Sequence, residues 1–183
     1  MMRDLLTFLV GSAILLWLSR KAIVKPGRHG FYRFFAWEGI LALLVLNHEP
    51  WGESPLSPHQ IVSWLLMLGS ILLVAHGYAV LKEEGKAGEQ REDTALYDFE
   101  KTTKLVDCGV FAYIRHPMYA SLLALAWGAF FQDPGWAGGA IASLTSFFLF
   151  LTAKADEQEC LQFFGPAYAD YMKRTRMFLP WLI

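Results

Sequence analysis

Long apolar runs alternate with short charged breaks along most of this chain. The first run extends from Leu5 to about Val24, with Arg20 and Lys21 near its end, where long basic side chains reach back to an interface. Phe31 to about Asn47 follows, interrupted by Glu38. Gln60 to Leu81 is the longest run, enough for a helix to cross a ~30 Å hydrocarbon layer. Met118–Phe131 and Trp136–Ala153 then predict a helical hairpin closed by Gln132-Asp133-Pro134-Gly135, a composition that favours a tight turn. Lys154–Ile183 is too polar to span. Its aromatic residues and the Gly165-Pro166 break predict short interfacial helices. The pattern as a whole predicts an all-α, polytopic membrane bundle of about five spans.

Composition narrows the class further. Apolar residues make up 55% of the 183 and charged ones 18%, and the charges avoid the long runs, unlike the amphipathic stripes of a water-soluble core. A net charge of −1 gives no reason to expect a nucleic-acid partner. Cys108 and Cys160 lack metal-ligand spacing, and no metal cluster is expected. The Leu5–Leu18 stretch is read as a retained span because Arg20-Lys21, not a small-residue cleavage site, succeeds it. One domain is expected over 1–183, made of three N-terminal spans (1–81), a polar segment (82–117), the hairpin (118–153) and C-terminal helices (154–183).

Loop charges orient the bundle. Arg20, Lys21, Lys25, Arg28 and Arg33 lie in or beside the first loop with no acid among them, whereas His48–His59 holds no Lys or Arg. The positive-inside rule therefore sets the N-terminus outside and both Lys82–Arg115 and Lys154–Ile183 on the cytoplasmic face. Within Lys82–Arg115, which carries six bases and eight acids, Ala95–Val106 mixes apolar and charged residues and is expected to fold against the membrane. Trp51, Trp136 and Trp181 fit interfacial anchors. Gly27-Arg28-His29-Gly30 and His48 read as loop residues.

Candidate chemistry gathers at two places on that face. Arg115-His116-Pro117-Met118-Tyr119 opens the hairpin, with Pro117 suited to a first helical position and His116 beside the positive end of the helix, where an anion is favoured. Asp156-Glu157, followed by Phe164-Gly165, Tyr168 and Tyr171, supplies an acidic corner. His116 also fits a plain helix cap, and the acidic pair a solvated face. Glu38 and His76, each roughly 10 Å or less below the same surface, are either functional groups or a structural Glu–His or Glu–Arg33 pair. Gly128, Gly138, Gly139 and Ala142 leave room for a lipid chain or for close helix approach, which explains them equally well.

Leu105-Val106-Asp107-Cys108-Gly109-Val110-Phe111 running into Arg115–Tyr119, with the acidic pair and Phe164-Gly165 downstream, resembles the isoprenylcysteine carboxyl methyltransferase and phospholipid methyltransferase superfamily. That resemblance covers about residues 100–180. It implies a membrane-embedded, S-adenosyl-L-methionine-dependent methyltransferase in a bacterial or archaeal cell membrane, acting on a lipophilic or membrane-lipid acceptor. It further implies cofactor contacts from Thr103, Lys104, Leu105, Val106, Phe111, His116, Pro117, Met118, Tyr119 and Asp156, and catalytic roles for Arg115, His116 and Glu157. A phospholipid N-methyltransferase, a non-catalytic membrane scaffold or sensor protein and an integral-membrane reductase of related architecture are the alternatives, the last without an independent nicotinamide signal. The chain departs from the pattern at Asp156 (Glu in the family), at Cys160 (Leu) and at Thr152, where isoprenylcysteine enzymes place a substrate-contacting Arg, although Lys154 lies close by.

Overall fold

The computed structural model describes residues 2–51, 53–85 and 102–180, and all regular structure among them is helical. Six α-helices follow in order: α1 (Met2–Ile23), α2 (His29–Leu46), α3 (Pro58–Glu84), α4 (Pro117–Phe130), α5 (Trp136–Phe164) and α6 (Pro166–Arg174), with a 3₁₀ turn at Gly109–Ala112. Four of them, α1, α2, α3 and α5, are long and apolar enough to cross a membrane. The fifth expected span is α4, whose 14 residues make about 21 Å. It packs between α3 on one side and α2 and α5 on the other.

The outer surface shows why the runs are apolar all round. Leu5, Leu9, Leu65, Leu68, Ile71 and Phe147 are exposed, whereas Ser19, Ser63, Thr145 and Thr152 are buried between helices. Lipid tails solvate leucine as well as another helix does, so association relies on close packing and interhelical hydrogen bonds. Gly128 illustrates the packing: a Cβ there would lie 2.8 Å from Met67 Cγ and 3.3 Å from the Ser63 carbonyl of α3. Gly138 sits on Phe130, and Ala142 is fully buried. These small residues serve helix contact.

The two ends of the bundle differ. At one end Asn47 donates to the carbonyl of Ala129 (2.8 Å), and His59 Nδ1 lies 3.0 Å from that of Phe131. At the other, Glu159 of α5 accepts the His29 backbone N–H (3.0 Å), with Nδ1 of the same residue 3.0 Å away and Arg28 at 3.6 Å. His29 and Gly30 are therefore not loop residues. They are the buried start of α2, whose unpaired N–H groups and positive end take a carboxylate from α5. The basic first loop thus shares an end with the acidic part of α5.

The C-terminal half also departs from expectation. Lys154–Phe164 is not a separate interfacial helix but a continuation of α5, 29 residues in all or about 44 Å. A ~30 Å layer leaves its last third outside, so the acidic pair rides on a continuous rod. The break comes at Gly165, with φ +60°, a left-handed conformation that glycine adopts without a Cβ penalty, and Pro166 then opens α6. Glu38 and His76 do not pair with each other across the bundle: Glu38 Oε2 accepts from Ser12 Oγ of α1 at 2.6 Å, and His76 is exposed beside Gly109. Residues 86–101, and with them the larger part of the Ala95–Val106 expectation, lie outside the described residues, as do Gly52 and Trp181.

Candidate active site

The segment from Thr102 to His116 is held at both ends. Thr103 and Lys104 donate their backbone N–H groups to the Gly85 carbonyl at the end of α3 (3.1 and 3.3 Å), and Lys104 Nζ is 3.3 Å from Glu84. Farther on, Gly109 takes φ +58°, and a Cβ there would come within 3.0 Å of Val80. Glycine lets the chain turn against α3 at that point. Tyr171 of α6, buried, donates its hydroxyl to the Phe111 carbonyl at 2.7 Å and ties the 3₁₀ turn to the C-terminus.

A strap from the C-terminus closes the other side. Arg115 N–H donates to the Arg176 carbonyl (2.7 Å), His116 N–H to that of Met177 (3.1 Å) and Arg176 N–H to that of Tyr113 (3.1 Å), around a parallel bridge of Ile114 with Arg176. These bonds satisfy the extended backbone just before α4. Pro117 then occupies the first turn, and His116 is the N-cap, its carbonyl accepting from Ala120 N–H at 2.9 Å. The His116 side chain makes no capping bond, so its imidazole is directed to other partners.

Those partners are the acidic pair. His116 is 4% exposed, with Nδ1 3.4 Å from Asp156 and Nε2 3.7 Å from Glu157. Burial works against the imidazolium, but the carboxylates of Asp156 and Glu157 outweigh it and raise the His116 pKa above its ordinary value. Nε2 is buried and has no hydrogen-bond partner among the described residues. The ring stacks on Tyr119, centroids 5.4 Å apart.

Arg115 faces Glu157. Its Nε and Nη2 both lie 2.8 Å from Glu157 Oε1, and Nη1 donates to the carbonyls of Thr175 and Met172. Lys154 Nζ holds the second oxygen of Glu157 at 3.1 Å. Consecutive residues on a helix point about 100° apart, so Asp156 and Glu157 diverge. Asp156 lines a cavity, with its Oδ1 3.8 Å from Cys160 Sγ, whereas Glu157 is buried behind the wall.

That cavity measures about 420 Å³ and has largely apolar walls, a size and character usual for small-molecule sites. Of the expected site residues, Leu105, Val106 and Phe111 line it from the docked segment. Arg115, His116, Pro117, Met118 and Tyr119 line it from the start of α4, and Asp156 from α5. Thr103, Lys104 and Glu157 are not among its lining residues. Tyr168 and Tyr171 complete the wall from α6. Burial pushes both phenols up, so they remain neutral donors.

Some lining residues did not stand out in the sequence. Arg33 and Trp37 of α2, Val74 and Leu81 of α3, and Thr102 all face the cavity. Arg33 reads as one more base of the first loop, yet it shares a helical stripe with Ala36, Ile40 and Leu43, all of them buried. That i, i+3, i+7 register was the available signal. An arginine in phase with an inward stripe differs from a loop base.

The assembled groups can hold a small zwitterion: an imidazole whose charged form the two acids favour and a helix start for an anionic end, a carboxylate for a cationic end, and apolar walls for the remainder. Residues 58–165, more than half of the chain, match the sequence profile of the phospholipid methyltransferase family. A stretch of 72 residues is 26% identical to methanethiol S-methyltransferase 1 of Bradyrhizobium diazoefficiens, covering 39% of this chain and 25% of that protein. The chain thus spans about a quarter of this relative's length. No solved structure matches. With a bundle of long apolar helices and a family match that contains the whole α4–α5 hairpin, the chain belongs to the phospholipid methyltransferase family, a family of membrane methyltransferases.

Proposed function

We propose that the chain transfers a methyl group from S-adenosyl-L-methionine to a lipophilic acceptor at the cytoplasmic face of the membrane. The carrying observation is the buried Nε2 of His116, which has no hydrogen-bond partner among the described residues, at a cavity whose wall also holds Asp156. The cofactor ends in a carboxylate and an ammonium group, and these residues fit both. His116, as an imidazolium, and the first N–H groups of α4 around Met118 and Tyr119 hold the carboxylate. Asp156 accepts from the ammonium group. Leu105, Val106 and Phe111 offer an apolar bed for the adenine.

When bound, the cofactor supplies a methyl group already activated on sulfonium. The protein's part is to align an in-line attack and to keep water away. Arg115 and Glu157 act as positioning residues: their bond fixes the start of α4 against α5 and keeps His116 and Asp156 on one wall. Tyr171 does the same for Phe111. A carboxylate or thiolate acceptor needs no base, whereas an amine must first lose a proton. Acceptors reach the cavity from the bilayer, past the apolar residues Val74 and Leu122 that line it.

The orientation rests on the shared end of the basic loop and the site, established by the His29–Glu159 contact. A reporter fused after Ile183 is expected in the cytoplasm. The activity is tested by incubating the purified protein with methyl-tritiated cofactor and a panel of lipid amines, prenylated thiols and alkyl thiols. Label extracted into organic solvent, dependent on His116 and Asp156, is expected. Absence of transfer to the whole panel by protein that binds the cofactor would favour the non-catalytic alternative.

A further inference from the structure

We infer that Arg28, His29 and Glu159 form a pin that sets the width of the cavity, with Glu159 as a positioning residue for the ligand held there. This rests on the methyltransferase reading of the cavity and adds how two of its walls are held together. One wall is α2, which contributes Arg33 and Trp37; the other is the end of α5, which contributes Asp156, Cys160 and Phe164. The two helices meet at matched levels. Deepest, Gly39 faces Thr145 with no room for a Cβ between them. Phe35 then stacks on Phe148, centroids 5.0 Å apart, and the His29–Glu159 contact lies at the cytoplasmic end. His29 and Gly39 are ten residues apart, about 15 Å along α2, and Arg33 and Trp37 lie between them. Held at both levels, α2 keeps its distance from α5. Held only at the deep one, it swings about that point, because lipid tails replace an aromatic stack at little cost.

The cytoplasmic contact is the polar one, and both oxygens of Glu159 are engaged in it. Oε1 accepts the His29 backbone N–H at 3.0 Å, and Oε2 lies 3.0 Å from His29 Nδ1 and 3.6 Å from the Arg28 guanidinium. The N–H is one of those a helix start leaves without an internal partner. His29 and Glu159 are both buried, so the contact is strong and water does little to replace it. Glu159 stands three residues after Asp156, almost one turn along the same rod. Whatever fixes Glu159 therefore fixes the cavity-facing carboxylate relative to α2. Gly30 packs closely on Ala22 of α1, where a Cβ would come within 2.9 Å, so the pin carries the end of α1 with it. Arg28 and His29 precede residue 58, where the family match begins, and Glu159 lies within it. The pin thus ties a part of the chain outside the matched stretch to the site.

The test reads the cavity in two ways, one of which needs no cofactor. Full-length protein in zwitterionic lipid nanodiscs is titrated with S-adenosylhomocysteine. In parallel, a Cys108→Ser background leaves Cys160, which lines the cavity, as the one thiol of the chain, and its rate of alkylation by N-ethylmaleimide reports how open the cavity is. Glu159→Ala is expected to weaken S-adenosylhomocysteine about tenfold and to speed Cys160 alkylation about tenfold, the lower worth of a hydrogen bond to a charged group. Glu159→Gln keeps an oxygen for the His29 N–H and should fall between Glu159→Ala and the wild type. Adding His29→Ala to Glu159→Ala should change either value by no more than about twofold, since both act through one contact. A purely structural contact would lower stability and leave both readouts of the folded protein where they were. Affinity within about twofold of wild type, together with an unchanged alkylation rate in Glu159→Ala and Glu159→Gln, would overturn the inference; Glu159→Gln decides alone if the alanine variant does not fold. Failure of wild-type protein to bind S-adenosylhomocysteine would instead sink the methyltransferase reading, with the alkylation rates still deciding the pin.

Discussion

Breaking the Arg115–Glu157 bond should loosen the whole corner rather than remove a reacting group. Both side chains are nearly inaccessible, at 9% and 3%, so solvent screening offers little relief. Two guanidinium nitrogens lie 2.8 Å from one carboxylate oxygen. Removing one partner of such a buried pair costs about 3–5 kcal/mol, because the other charge stays behind. Glu157→Gln keeps an acceptor at the site, and Arg115 keeps the Thr175 and Met172 carbonyls. The expected cost is therefore about 2–3 kcal/mol. Arg115→Gln should cost about 3–5 kcal/mol, since among the described residues Glu157 then retains Lys154, half-exposed, and the more distant His116. The double variant should lose less than the sum, with a coupling energy of about 2–3 kcal/mol from equilibrium unfolding in mixed micelles. Proteolysis should detect the cause as faster cutting in the strap at Thr175–Phe178, whose backbone bonds flank Arg115 and His116. A coupling below about 0.5 kcal/mol would show that the two residues act independently and would refute the positioning role.

Further outcomes follow from the same geometry. His116 has a raised pKa, so its stabilising contribution is fully present below the ordinary value of 6.5 and is lost as pH rises through the higher folded-state value. S-adenosylhomocysteine affinity should fall as pH rises through that value, and His116→Gln should bind about tenfold more weakly with a flat pH profile; an unchanged profile in the variant would exclude His116 as the titrating group. Asp156→Asn should weaken the same ligand about 10- to 100-fold with little loss of stability, and Glu157→Gln the reverse, read by calorimetry beside unfolding. Gly128→Leu should destabilise the bundle by about 1–3 kcal/mol through the α3–α4 contact at Met67 and Ser63; an unaltered unfolding curve would show room at that contact.

The sequence made the helices legible because their solvent is lipid. Exposed leucines on α1 and α3 leave unbroken apolar runs, and loop charges stand out against them. The corner at Arg115–Tyr119 and the acidic pair were also visible, as clusters of chemistry at span ends. What stayed hidden depended on distance in the fold. The continuity of α5 through Lys154–Phe164 was obscured because polar residues there look interfacial, although they lie beyond the layer on the same rod. The burial of His29 depends on Glu159, 130 residues away, and no local pattern announces it. Arg33 and Trp37 reach the cavity only because α2 packs along α5 and α4. Glu157 and Asp156 are neighbours in sequence, and only the helix rotation separates their roles.

The central claim is that the His116–Asp156 cavity holds S-adenosyl-L-methionine, and a calorimetric titration of the purified full chain with S-adenosylhomocysteine tests it most directly. One site of micromolar affinity, roughly −8 kcal/mol, weakened by His116→Gln and by Asp156→Asn, is the predicted result. No heat from well-folded wild-type protein, or heat unchanged by both substitutions, would contradict the account.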